Sequence, residues 1–131
     1  MLIQDENITI DDDLRIQLID YGSAELIENG PFNTFYGTTE FCAPEVLEGN
    51  TYEGKAQDCW ALGILLYTLI YRQNPFYTVD DILSKSIMPF EHDMSPDVTT
   101  VLAGLLTRNS KDRLTISQTL KQQWFIDLTP V

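Results

Sequence analysis

Two short apolar segments around an acidic turn bring together residue types that bind metal ions. Residues 8–10 and 14–19 have the alternating, β-branched pattern of strands, and the three aspartates between them predict a hairpin turn. In such a hairpin Asn7 lies opposite Asp20, within a residue or two of register. An amide oxygen and a carboxylate then meet at one end, and magnesium prefers these ligands beside substrate phosphates. A lone pair of this kind is more often explained by turn capping.

A long irregular segment follows the hairpin. Between residues 21 and 42 no periodicity is sustained, and three glycines and a proline interrupt the chain. A loop of that length inside a compact domain is usually functional. It leads into residues 37–45, GTTEFCAPE, which contain two adjacent hydroxyl side chains.

The remaining chain is predicted to be helical, at residues 44–48, 55–72, 79–86, 96–107 and 115–123. The second helix is apolar on nearly every side after Asp58, which is typical of a helix that passes through the middle of a core. It should end before Pro75, because the residue preceding a proline disfavours helix. The predicted fold class is mainly α, with one small β-hairpin and a long loop.

Composition excludes several classes of partner. The 131 residues carry a net charge of −12, which argues against nucleic acid and anionic membranes. A basic peptide would suit this charge, although a solvated acidic surface is the simpler explanation. The longest apolar run is shorter than the roughly 20 residues that span a bilayer. Two unpaired cysteines and no signal peptide predict a reducing compartment, the cytoplasm or the nucleus.

Three motifs in a fixed order resemble the carboxyl-terminal lobe of a protein kinase. They are DYG at residues 20–22, APE at 43–45 and DCWALG at 58–63. Further strings, IDYGSA at 19–24, GPF at 30–32 and YEGKAQDCW at 52–60, are similar to the fungal PAS-domain-regulated kinases. The resemblance predicts a partial kinase domain at residues 1–126, beginning at the end of the catalytic loop, and a tail at 127–131.

This resemblance implies a serine/threonine kinase that transfers the γ-phosphoryl group of Mg-ATP to protein substrates. Asn7 and Asp20 match the two magnesium-binding positions of the family. Gly37, Thr38 and Phe41 match the platform on which the acceptor peptide lies. The segment between the metal site and this platform corresponds to the activation segment.

The same resemblance implies structural roles for three further residues. Glu45 and Arg113 match a buried ion pair that ties the end of the activation segment to the loop before the last helix. Asp58 matches a carboxylate that accepts backbone N–H groups from the catalytic loop. These residues are expected to hold the lobe together and not to react.

The first residues depart from the family pattern. Leu2 stands at the position of the catalytic aspartate, and Gln4 at that of the lysine that steadies the γ-phosphate. Leucine accepts no proton and glutamine carries no charge, so we expect no phosphoryl transfer by this chain alone. Three alternatives stay open: a truncated frame of a complete kinase, a pseudokinase-like binding module, and a decayed frame without function.

The absence of a small lobe and of neighbouring helices predicts an exposed surface. A helix at residues 55–72 that is apolar nearly all round should present a contiguous hydrophobic seam. We therefore expect the chain to be marginally stable, to self-associate, or to need a partner that covers this helix.

Overall fold

The computed structural model describes residues 3–85 and 94–128 and shows a mainly helical chain with one small hairpin. The strands are β1 (Ile8–Ile10) and β2 (Ile16–Leu18), and the helices are α1 (Pro44–Leu47), α2 (Gly54–Tyr71), α3 (Val79–Ser84), α4 (Pro96–Leu105), α5 (Ile116–Thr119) and α6 (Gln123–Leu128). Single 3-10 turns occupy Asp5–Asn7, Ile27–Asn29 and Thr39–Phe41. The predicted fold class is confirmed. Within the described ranges, none of the helices combines the length and apolarity that crossing a bilayer requires.

The hairpin is shorter than the sequence predicts. β2 begins at Ile16, because Leu14 has a left-handed φ of 62° and belongs to the turn. A carboxylate oxygen of Asp11 accepts hydrogen bonds from the backbone N–H groups of Asp13 and Arg15. The turn closed by Asp11 therefore uses backbone N–H groups that could otherwise extend the hydrogen bonding between the two strands.

Helix α2 forms the centre of the core, as its apolar pattern predicts. It ends when Arg72 adopts a left-handed φ of 56°, with its N–H bonded to the carbonyl of Thr68. One buried cluster unites side chains of α2 with residues before α1 and after α2: Phe41, Ala43, Trp60, Ala61, Ile64, Leu65, Phe76, Ile82 and Leu106. A second joins Cys59 to Val101 and Leu105 of α4. Both sides of α2 are therefore packed.

The predicted hydrophobic seam along this helix is wrong. Among the large apolar side chains of α2 only Leu69 is exposed, because α4, α6 and the segment before α1 cover the flanks of the helix. The hairpin exposes more apolar surface than α2 does, since Ile10, Leu14 and Ile16 are each more than 60% exposed. The described part of α2 therefore offers no continuous apolar strip, and the expectations of self-association and of a covering partner stay predictions.

The predicted last helix is two helices. Thr115 caps α5 through a reciprocal pair of bonds with Gln118. Bonds from Lys121 to the carbonyl of Gln118 and from Gln122 to that of Thr119 then tighten the chain into turns before α6 begins. The end predicted for α3 at residue 86 lies outside the described residues.

Close contact between α2 and α4 predicts that Gly63→Ala destabilises the protein. A Cβ at this position would lie 2.8 Å from Cδ2 of Leu106 and 3.0 Å from Cβ of Leu105. Overpacking typically costs about 1–3 kcal/mol, which exceeds the gain in helix propensity of about 1 kcal/mol. Thermal unfolding should show a lower Tm for Gly63→Ala, while Leu69→Ala on the exposed side of α2 should change Tm little. An unchanged Tm for Gly63→Ala would show that the two helices can move apart freely.

Candidate functional site

Strand pairing brings Asn7 and Asp20 to the same end of the hairpin. Ile8 is paired with Leu18, and the N–H of Ile19 donates to the carbonyl of Asn7 over 2.9 Å. Asn7 is buried at the end of a 3-10 turn, whereas Asp20, two residues beyond the last pair, is exposed. One potential metal ligand is therefore held by the core and the other faces solvent.

Asp20 has a backbone conformation that few residues tolerate. Its φ of 58° is left-handed, where aspartate is among the better-tolerated non-glycine residues. Its carboxylate accepts a hydrogen bond from the N–H of Gly22 over 3.1 Å, and a Cβ on that glycine would lie 3.1 Å from the same oxygen. Glycine here lets the carboxylate fold back against the backbone. The ring of Tyr21 between them is mostly exposed, so its hydroxyl needs no buried partner.

The donor set at this end of the hairpin fits magnesium held mainly by substrate. The described residues contain no cluster of three or more His, Cys, Asp or Glu side chains that could hold a metal ion. Asn7 and Asp20 supply two oxygen donors, and magnesium is commonly bound by one or two protein oxygens together with phosphates and water. The two residues are suited to that role and not to a metal cage made of protein alone.

The predicted acceptor platform contacts the first residues of the described chain. The hydroxyl of Thr38 donates to Oε1 of Gln4 over 3.0 Å, although 34 positions separate them. Gly37 and Thr38 are exposed and Phe41 is buried, so the segment offers a polar surface on an apolar anchor. Leu2, predicted at the position of the catalytic aspartate, lies outside the described residues.

A buried glutamine that the sequence reasoning missed fixes this platform to α2. The N–H of Ala43 donates to Oε1 of Gln57 over 2.8 Å, and Nε2 of Gln57 donates to the carbonyl of Phe41 over 2.8 Å. Gln57 is 4% exposed, so both bonds lie away from water. The available signal was one uncharged polar residue in the first turn of a helix that is apolar on nearly every side after Asp58.

Glu45 and Arg113 form a two-point ion pair beneath the platform. Nη1 and Nη2 of Arg113 lie 2.7 and 2.8 Å from the two carboxylate oxygens of Glu45. The guanidinium also donates to the carbonyls of Ala56 and Thr107 and lies 5.2 Å from the ring centroid of Trp60. The Arg113 side chain is 1% exposed and that of Glu45 13%. This network joins α1, α2 and the loop before α5.

The two cysteines are not suited to nucleophilic chemistry. Cys42 and Cys59 are both buried free thiols. Burial raises the pKa of Cys42 to about 12 and also raises the pKa of Cys59. Because the thiolate is the reactive form, both side chains act as apolar core residues near neutral pH.

Asp58 is half-buried in the second turn of α2. Burial raises the pKa of its carboxyl group to about 6. Within residues 3–85 and 94–128, no lysine or arginine forms an ion pair with it. A charged Asp58 therefore destabilises the described fold, and its protonation relieves that cost.

We expect Asp58→Asn to stabilise the chain at pH 7.5. Because the folded pKa lies above the unfolded value, the folded state binds the proton more tightly, and stability falls as pH rises from about 4 through about 6. Partial solvation limits the gain to about 1–2 kcal/mol at pH 7.5. Denaturant unfolding should show a difference between variant and wild type that shrinks at pH 5. A less stable variant at pH 7.5 would contradict this assignment.

The chain matches one family model and several curated kinases. A model described as the protein kinase domain matches residues 3–125. Serine/threonine-protein kinase ppk6 of Schizosaccharomyces pombe is 49% identical over 127 residues, which are 96% of this chain and 16% of that protein. Serine/threonine-protein kinase PSK2 of Saccharomyces cerevisiae is 44% identical over 93% of the chain and 11% of its own length. The mouse PAS domain-containing serine/threonine-protein kinase is 44% identical over 93% of the chain and 9% of its length.

Coverage of these relatives is small. The chain spans between 9% and 16% of the three full-length proteins. Nearly all of the chain nevertheless aligns with each, and the matches extend over the hairpin, the platform and α2. The similarity therefore concerns one part of a much longer protein in each case.

Proposed function

Because the chain belongs to the protein kinase domain family, we propose that it supplies the carboxyl-terminal lobe of a serine/threonine kinase that transfers phosphoryl groups from Mg-ATP to protein hydroxyls. The observation that carries this proposal is the joint placement of two sites. Register places Asn7 and Asp20 at one end of the hairpin, and Gln4, three residues before Asn7, bonds to Thr38 of the platform. The proposed metal ligands and the proposed acceptor surface thus lie on connected segments.

Each group has a distinct task in this proposal. Asn7 and Asp20 hold magnesium, which bridges the phosphates and neutralises charge when it is bound with ATP. Asn7 is fixed by the core, while the exposed carboxylate of Asp20 is held by Gly22. Gln57 and the ion pair of Glu45 with Arg113 keep the platform rigid. Such preorganisation aligns an acceptor hydroxyl with the transferred group.

At the two positions that should activate the acceptor hydroxyl, this chain lacks the residue types that phosphoryl transfer requires. Gln4 reaches Thr38 but brings no positive charge to the transferred group. Leu2 brings no base for the acceptor proton. We therefore propose that residues 1–131 do not catalyse transfer alone and that the lobe works in a longer protein.

One observation favours a second candidate, a pseudokinase-like module that binds acceptor polypeptides without modifying them. The hydrogen bond between Thr38 and Gln4 keeps the platform ordered, although Gln4 stands where the family has a charged lysine. An amide can supply this positional contact without any catalytic charge. The two candidates differ in whether residues 5–125 can support transfer when the catalytic loop comes from elsewhere.

A chimera with kinase ppk6 separates these candidates. Residues 5–125 replace the matching part of ppk6, which keeps that kinase's own residues up to the position of Gln4. Transfer of the γ-phosphoryl group to a serine peptide should persist, because every other part of the proposed lobe is present. A second chimera that begins at residue 2 brings Leu2 and Gln4 and should be at least about 10²-fold slower.

The possible failures are distinguishable. A first chimera that melts cooperatively but transfers nothing would refute the catalytic proposal and support the binding module. Equal rates in the two chimeras would show that Leu2 and Gln4 do not limit transfer. Melting curves of both proteins separate these results from misfolding.

A further inference from the structure

Arg108, in the loop between α4 and α5, holds the carboxyl end of α3. Its Nε donates to the carbonyl of Ile82 over 2.8 Å. Its Nη2 donates to the carbonyl of Asp81 over 3.1 Å and also to that of Lys85. The last carbonyls of a helix lack donors within the helix, and an arginine side chain can supply them. Because α3 has only six residues and a helix this short is not stable by itself, such contacts decide where it lies.

The main chain of Arg108 is bonded to the ion pair beneath the acceptor platform. Nη2 of Arg113 donates to the carbonyl of Arg108 over 3.0 Å, and the same nitrogen lies 2.8 Å from Oε2 of Glu45. The side chain of Arg113 is 1% exposed, so these hydrogen bonds lie away from water and are strengthened by the low local dielectric. Arg108 is therefore bonded to α3 through its side chain and to the platform network through its carbonyl.

Two stacked rings join the same two arginines by a second route. The guanidinium carbon of Arg108 lies 5.8 Å from the ring centroid of Phe76, and that of Arg113 lies 5.2 Å from the ring centroid of Trp60. The two rings are nearly parallel, at 8°, with centroids 5.8 Å apart, and both are buried. Within the part of the chain that the structure describes, Nε1 of Trp60 has no hydrogen-bond partner. Packing alone thus sets the position of this ring, and a shift of Phe76 is passed on to it.

We propose that Arg108 is a positioning residue that couples the position of α3 to the acceptor platform, so that the two move as one unit. Energetic coupling between distant segments is carried by connected hydrogen bonds and packed side chains of this kind. Ile82 of α3 and Val46 of α1 also belong to one apolar cluster, which keeps the two helices close. Because the platform is the proposed acceptor surface, this inference rests on the proposed function. It adds that displacement of α3 weakens acceptor binding.

Amide exchange measured by NMR on the 131-residue chain tests the coupling without any activity. The reporter is the buried N–H of Ala43, which is bonded to Gln57 of α2. Arg108→Met should accelerate its exchange at least about threefold more than that of Leu65 in the middle of α2, as expected for coupled positions. A general loss of stability would accelerate both amides equally. Lys111→Met removes the same charge from an exposed position of the same loop and should alter neither amide.

The active chimera with kinase ppk6 tests the effect on the acceptor. Arg108→Met should raise KM for the serine peptide at least about threefold, while KM for ATP and kcat stay unchanged. This division is expected because the platform contacts the acceptor polypeptide and not the nucleotide. A role in stability alone would reduce the amount of active protein and would leave both KM values as they are. Lys111→Met should again have the kinetics of the unmodified chimera.

The results that overturn the proposal differ from those that overturn the proposed function. Faster exchange within α3 together with unaltered exchange of Ala43 would mean that Arg108 holds α3 alone, and the coupling would be refuted. An unchanged KM for the peptide would refute the effect on acceptor binding. A folded chimera that transfers nothing would refute the catalytic proposal, and amide exchange in the chain would still decide the role of Arg108.

Discussion

Arg113→Met is expected to lower the free energy of unfolding by about 3–5 kcal/mol. The substitution leaves the carboxylate of Glu45 largely buried without its partner, and the carbonyls of Ala56 and Thr107 lose their donors. Domains of this size are typically stable by only about 5–15 kcal/mol, so the loss is a large fraction of the total stability. Urea titration followed by circular dichroism measures it directly.

Two further variants show whether the loss of stability in Arg113→Met comes from the unpaired, buried carboxylate of Glu45. Arg15→Met removes an exposed arginine whose nearest carboxylate, on Asp13, is 3.7 Å away, and should change stability by less than about 1 kcal/mol. The double variant Glu45→Leu with Arg113→Met should be more stable than Arg113→Met, because no buried charge is left unpaired. A double variant less stable than Arg113→Met would mean that the guanidinium acts mainly through the backbone carbonyls.

Asp20→Asn in the active chimera is expected to lower kcat at least about 10²-fold, which is typical for loss of one electrostatic contact to developing charge. Asparagine keeps the size of the side chain and tolerates the left-handed φ of 58°, so the fold should be retained. The proposed metal site loses its one charged ligand. The rate of γ-phosphoryl transfer to a serine peptide at several magnesium concentrations gives the result.

The matched control for this prediction is Asp13→Asn in the hairpin turn. It removes one carboxylate from an exposed position of the same hairpin, and its rate should equal that of the unmodified chimera. A higher magnesium concentration should recover part of the rate of Asp20→Asn, because weakened metal binding is offset by mass action. Unimpaired transfer by Asp20→Asn would refute the assignment of Asp20 as a magnesium ligand.

Most of the secondary structure was predictable because it depends on local patterns. The alternation at residues 8–10 and 16–18 and the apolar run of α2 each correspond to an observed element. The errors occur where a few hydrogen bonds decide the outcome. Leu14 was predicted in a strand but belongs to the turn that the Asp11 carboxylate closes. The predicted last helix is interrupted by the turn at residues 118–122.

The candidate site was predictable only as a set of residue types. Asn7, Asp20 and the platform were proposed from their spacing and from family resemblance. The bond between Gln4 and Thr38 spans 34 positions and has no local signature. Gln57 was missed because a glutamine near the start of a helix usually faces water, and only packing shows it buried against the platform.

By itself the sequence determined the mainly helical fold and the family, because these follow from short-range periodicity and motif spacing, and it supplied the candidate residues for metal and acceptor binding. The tertiary structure alone decided which surfaces are exposed. Packing by α4 and α6 buried the flanks of α2, and the two-stranded hairpin kept its apolar side chains in solvent. It also left Asp58 half-buried without a cation partner among the described residues, since burial and pairing depend on residues distant in the chain.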